Sequence, residues 1–182
     1  MQPELRNMLQ PKTFETERLI LRPTNLEDAK LILELVNTPK WIEFIGDRGV
    51  KNIDDAEAYI KNKITPQLER LGYGNYTIIV KSDGSKVGSC GLYDREGLDG
   101  IDIGFALLPT YEKKGYAFEG TNKLKEAAFG EFGLTEISAI VVEKNKTSQN
   151  LLSKMGLSFE KNIVLPNSAE EVMLYKMFSK ET

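Results

Sequence analysis

The run Ile137-Ser138-Ala139-Ile140-Val141-Val142 narrows the folding options of this chain more than any other segment. A nearly unbroken apolar, β-branched stretch of this length reads as a strand buried on both faces. Such a strand needs covering layers on each side, which favours helices packed on a sheet over an open antiparallel sheet. Upstream, Ile101 to Leu108 reads as another strand, stopped by Pro109. A helix then follows from about Gly115 to Phe132, with Ala117, Thr121, Leu124, Ala128 and Phe132 on one face and Gly133 at its C-terminal stop. The three segments form a strand-helix-strand unit, whose crossover should be right-handed.

The remainder supplies the flanks. Glu17 to Arg22 reads as a strand closed by Pro23, and Asn25 caps a helix reaching about Val36. Thr38 to Val50 is aromatic-rich and irregular. Asp54 caps a helix to about Leu71, ended by Gly72, with a kink or break expected at Pro66. Strands over Tyr76 to Lys81, Lys86 to Asp94 and Ile101 to Leu108 are separated by Asp83-Gly84 and Asp99-Gly100, dipeptides suited to tight turns. A short helix over Thr147 to Met155 and a closing strand pair, Leu157 to Leu165 and Glu171 to Phe178, complete the reading. The expected fold is α/β, in the sense of an α+β mixed sheet. Its N-terminal half is antiparallel, its centre holds a parallel crossover, and residues 1–182 form one domain.

Absences in the composition exclude whole chemistries. The chain has no histidine, which removes histidine triads, zinc-histidine sites and imidazole proton shuttles. Proton transfer falls to carboxylates, Tyr, Lys, Ser, Cys or water, and no metal is expected. One cysteine, Cys90, admits no internal disulfide, and with no histidine to activate it the thiol reads as a small apolar side chain. The net charge of -3 argues against a broad nucleic-acid footprint and leans faintly toward a cationic acceptor. No apolar run approaches the roughly 20 residues that span a bilayer, and the N-terminal stretch carries charges where a leader needs apolar residues. A cytoplasmic location, with neither membrane nor nucleic acid as partner, is the expectation.

Chemistry concentrates where the chain leaves the strand at Leu108 and enters the helix. Free backbone N–H groups and the positive end of the helix converge there on Tyr111-Glu112-Lys113-Lys114-Gly115-Tyr116-Ala117, a place for a phosphate. A lysine pair ahead of a helix is also common solvated surface. Neither a P-loop nor a Gly-x-Gly-x-x-Gly fingerprint is present.

The stretch Asp102-Ile103-Gly104-Phe105-Ala106-Leu107-Leu108-Pro109, followed by Lys114-Gly115-Tyr116-Ala117-Phe118-Glu119, resembles motif A of the GNAT acetyltransferases. It is most similar to the branch containing the ribosomal-protein N-terminal acetyltransferases RimJ and RimL. Thr16 to Arg22 resembles that branch's opening strand, Trp41 to Gly46 its acceptor-side loop, and Asn145-Lys146-Thr147-Ser148 with Leu152, Lys154, Met155 and Gly156 its motif B. The resemblance spans about residues 14 to 178.

It implies acetyl-CoA as co-substrate, held in a splay opened by a bulge between the motif A strand and the Ile137 strand. Pantetheine would pair with main chain near Phe105, Ala106 and Leu107, and pyrophosphate would lie on the amides of Lys113, Lys114, Gly115, Tyr116 and Ala117. Asn145 would hold pantetheine. Ser148 would protonate the leaving thiolate, although Thr147 or Ser148 could instead simply cap its helix. Asp102 and Glu43 are the candidate bases, and Trp41, Phe44 and Tyr175 the candidate acceptor-pocket residues, with core packing the competing role for the aromatics.

The family loop has Gln/Arg and Gly where this chain has Glu112 and Lys113. Backbone donors survive that change provided position 113 needs no positive φ, and Glu112 is expected to point outward. The implied acceptor is a primary amine, on a protein N-terminus or a small molecule. Relatives in this branch are often dimers, so a homodimer stays open. A non-catalytic CoA-binding or regulatory module on the same fold is the alternative.

Overall fold

The structure is a computed structural model that describes residues 11–180. The N-terminal stretch read against a leader therefore lies largely outside the described residues.

One eight-stranded mixed sheet runs through the molecule in the order β1-β2-β3-β4-β5-β6-β8-β7. β1 (Phe14–Glu15) is a short edge paired with β2 (Leu19–Pro23). β2, β3 (Asn75–Val80), β4 (Lys86–Asp94) and β5 (Ile101–Leu107) follow as successive antiparallel neighbours. The turn between β3 and β4 uses Gly84 at φ +73°, with the Asp83 carboxylate accepting from the Ser85 amide at 2.9 Å. β5 and β6 (Glu136–Val141) are the parallel pair, linked by α5 (Tyr116–Gly130). The closing strands, β7 (Ser158–Val164) and β8 (Glu171–Phe178), fold back so that the later one lies beside β6.

Two apolar cores result. The larger joins the strands to α5 through residues such as Leu19, Leu21, Tyr76, Ile78, Leu92, Leu124 and Ile137. Gly120 faces β2 and β3 from α5, where a Cβ would come into ordinary contact with Leu21, Ile78 and Leu19. The smaller core lies under α1 (Ala29–Val36) and α3 (Ile53–Tyr59), around Ile32, Val36, Val50, Ala56 and Ile60. Cys90 belongs to the large core, where burial pushes its thiol pKa up.

Several details differ from the sequence reading. Thr38 to Val50 is not wholly irregular: Thr38 caps a short helix, α2 (Pro39–Phe44), with proline at a first-turn position where its missing N–H costs nothing. Asn52, not Asp54, caps α3, its side chain accepting from the Asp55 amide. The irregularity expected at Pro66 lies one turn earlier, in a π-helical stretch at Ile60–Ile64, and the proline opens α4 (Thr65–Leu71). Among the described residues, no helix is long and apolar enough to cross a membrane.

Candidate active site

The parallel neighbours β5 and β6 share a single bridge, Asp102 with Ser138, and then diverge. The expected splay is therefore present, but its cause differs from the reading above. β5 stays in unbroken register with β4 from Gly88↔Leu107 to Asp94↔Ile101, and the register shifts fall in the β3–β4 and β7–β8 pairs instead. Each strand holds its antiparallel partner, and the weaker parallel pairing gives way.

The gap opens into a cavity of about 1110 Å³, large enough for an extended ligand together with an acceptor. Phe105, Ala106 and Leu107 line one wall, and Ala139 to Val142 the other. The floor of the cleft runs onto the start of α5. Its N-cap, Gly115 at φ +83°, provides no side-chain cap, so the first-turn amides are not satisfied by a capping side chain. Lys113 has φ +61°, so the condition set for this position is not met: the loop makes a left-handed turn with a lysine in it.

Arg18 pins that loop to β2. Its Nη1 donates to the Lys114 carbonyl at 2.8 Å, its guanidinium lies 4.7 Å from the Tyr116 ring centroid, and its Nε pairs with Glu119 at 2.7 Å. Thr16 donates to the same carboxylate at 2.6 Å. Burial raises the Glu119 pKa, but these bonds outweigh it and hold the group below its ordinary value. Glu112 does not simply face solvent as expected. It turns to Lys40 of α2, Oε2 to Nζ 2.7 Å, so its charge is compensated at the cavity rim.

On the opposite side, α6 (Lys146–Lys154) is capped by Asn145, whose Oδ1 accepts from the Ser148 amide at 3.2 Å. Asn145 fills the capping role considered for Thr147 or Ser148, which leaves the Ser148 hydroxyl for other use. Asn145, Thr147 and Ser148 all border the cavity.

Asp102 lies at the point of divergence, 2% exposed. Its Oδ2 accepts from Arg95 Nε at 2.9 Å and Nη2 at 2.8 Å, while Oδ1 is buried with no hydrogen-bond partner among the described residues. Burial pushes its pKa up to about 6, with Arg95 and, less strongly, the Ile140 amide pulling in the other direction. Beside it, the Tyr93 hydroxyl donates to Asn75 Oδ1 at 2.5 Å.

The cavity thus gathers Trp41, Phe44, Asp102, Phe105, Ala106, Leu107, Lys113, Gly115, Tyr116, Ala117, Asn145 and Ser148, and leaves three expected residues outside. Glu43 projects from the far side of α2 to the rim, 3.5 Å from Lys144, because Trp41 and Phe44 hold the inward face. The Lys114 side chain lies over Tyr111, 5.7 Å from the ring centroid, as its carbonyl turns to Arg18. Tyr175 is buried in β8 against Phe159, beyond β6, and packs in the core. Sequence reasoning overlooked Arg95 and Lys40. Continuing the β4–β5 register by two residues past Tyr93↔Asp102 would have brought Arg95 to notice.

The sequence matches the Acetyltransferase (GNAT) domain over residues 18–158. It is 32% identical over 157 residues to an uncharacterized N-acetyltransferase, p20, of Bacillus licheniformis, covering 85% of each chain. In fold it is similar to an acetyltransferase of Agrobacterium tumefaciens, with a TM-score of 0.77 and 22% identity over 92% of this chain and 95% of that one. It is also similar to the ribosomal-protein alpha-N acetyltransferase RimL in complex with coenzyme A, with a TM-score of 0.76 and 15% identity over 92% and 98%. A domain match covering most of the chain, and a mixed sheet that parts at a single parallel bridge, place this protein in the GNAT family of acetyltransferases.

Proposed function

We propose that the protein transfers the acetyl group of acetyl-CoA to a primary amine by direct attack. The observation that carries this reading is the parted β5–β6 edge running onto the uncapped start of α5. It offers unpaired main chain to the pantetheine amides and N–H groups to the pyrophosphate.

Acetyl-CoA, when bound, supplies an acyl thioester that an amine can attack. Asp102 is the proposed base: its carboxylate, which lines the cavity, takes the ammonium proton, directly or through water, so that the free amine forms the C–N bond. Main-chain N–H groups near Phe105 to Leu107 stabilise the oxyanion. The Ser148 hydroxyl gives its proton to the sulfur as the C–S bond breaks and takes in its place the proton that the new amide nitrogen sheds.

Calorimetry with acetyl-CoA, followed by thiol release across an amine and peptide panel, tests the proposal. Binding with turnover is expected. Binding without thiol release for any acceptor would favour the CoA-binding module, and absence of binding at high micromolar acetyl-CoA would remove both. Asp102→Asn should lower kcat by about 100-fold or more, and Ser148→Ala should lower kcat with little change in the KM for acetyl-CoA.

A further inference from the structure

We propose that the acceptor is an amine carrying a carboxylate on the neighbouring carbon, as in a free α-amino acid, and that Arg95 is the residue that selects it. This rests on the acetyl-transfer reading and names its substrate class.

Arg95 leaves the end of β4 and lines the cavity beside Asp102. Its Nε and Nη2 are both taken by Asp102 Oδ2, at 2.9 and 2.8 Å, and no hydrogen bond from Nη1 is formed among the described residues. Asp102 Oδ1 is likewise without a partner. A cation with a donor to spare and the proposed base are therefore already in contact, so an acceptor whose amine meets Asp102 and whose carboxylate meets Arg95 needs its two charged groups close together. A second donor belongs to the same cavity lining: Trp41 Nε1 is buried and without a partner among the described residues. Buried N–H groups left unbonded cost free energy, which a ligand acceptor recovers.

Charge points the same way. The Arg95–Asp102 pair is neutral while Asp102 is ionised, and becomes +1 when Asp102 takes the acceptor's proton. An anionic group on the acceptor offsets that charge at the moment it appears, beside a carboxylate that is itself buried. Arg48 and Lys63 line the same cavity, against Glu96 among the acids. The other acids of the lining, Asp94 and Glu112, are paired with Arg70 and Lys40, each at 2.7 Å.

The test compares matched acceptors by thiol release from acetyl-CoA: the common amino acids as free acids, as carboxamides and as N-terminal residues of dipeptides. The best free acid should exceed its carboxamide in kcat/KM by about 10-fold or more, the range of a charge-assisted hydrogen bond. That ratio should collapse toward one in Arg95→Gln and take an intermediate value in Arg95→Lys, which keeps the charge and loses the planar fork. Thermal unfolding and acetyl-CoA affinity of both variants, compared with the wild type, separate selection from misfolding. Equal or better use of carboxamides or peptides by the wild type would overturn the inference and leave acetyl transfer standing. A ratio unchanged in a folded Arg95→Gln would do the same. Acetyl-CoA binding with no turnover of any acceptor would overturn both.

Discussion

Lys113→Gly is expected to stabilise the protein without adding a single contact. Lys113 is exposed and holds φ +61°, where an L-residue with a Cβ is disfavoured by about 1–2 kcal/mol. Glycine removes that penalty but gains freedom in the unfolded chain, which returns about 0.4–1 kcal/mol. The net gain is about 0.5–1 kcal/mol, or a rise of about 1–4 °C in Tm for a domain of this size. Lys113→Ala is the control: it removes the same cation and keeps the strain, so its Tm should stay near that of the wild type. Both variants should weaken acetyl-CoA binding by a similar few-fold factor, since the loop's shape survives and only the charge is lost. Thermal unfolding followed by circular dichroism and calorimetric titration measure the two effects separately. If Lys113→Gly melts at or below Lys113→Ala, the strain argument is wrong.

Two carboxylates should carry opposite pH signatures. Asp28 is fully buried; burial alone would raise its pKa, but Arg22, Lys86, the Asn25 amide and Thr77 together hold it below 3.8. Its stabilising share is therefore present above about pH 4 and lost as pH falls through the folded value, and Asp28→Asn should cost about 3 kcal/mol in urea unfolding at neutral pH. A cost under about 1 kcal/mol would refute that role. Asp102, raised from 3.8 to about 6, binds more protons folded than unfolded between those values, so its share of stability falls as pH rises across that window. As a base it should give a kcat/KM that climbs with pH through about 6, and a flat profile there would exclude it. Gly88→Ala should disturb both fold and site. The added Cβ would meet the Ala106 carbonyl oxygen at 2.2 Å and Leu107 Cα at 2.8 Å, so β5 must shift exactly where the cleft wall begins, and weakened acetyl-CoA affinity with a lower Tm is the expected result.

Much of this architecture was legible because local chemistry and tertiary need agreed. The turn glycines, the amphipathic α5 and the apolar Ile137 run each point to one local structure, and β4 and β8 coincide with their predicted ranges. The insertion of β8 between β6 and β7 was not legible, because strand order depends on long-range pairing that no local pattern encodes. β1 is too short to leave a periodic signal, and Pro66 announces an interruption of its helix without saying that it takes π-helical form at Ile60–Ile64. In the site, backbone features read well, since strand ends and helix starts fix them. Side-chain features read less well: Arg95 matters through its reach to Asp102, and Glu112 through its partner Lys40, which is distant in sequence.

The single bridge between Asp102 and Ser138 makes the sheet, mechanically, two half-sheets joined at a pivot. Past that pivot, main-chain groups on both sides lack the strand that would ordinarily lie between them. A ligand whose amides enter the gap would act as that missing strand, sewing the halves together. Occupancy should then be recorded by the protein's own backbone, as slowed hydrogen exchange at residues 104–107 and 139–142, whichever acceptor the enzyme serves.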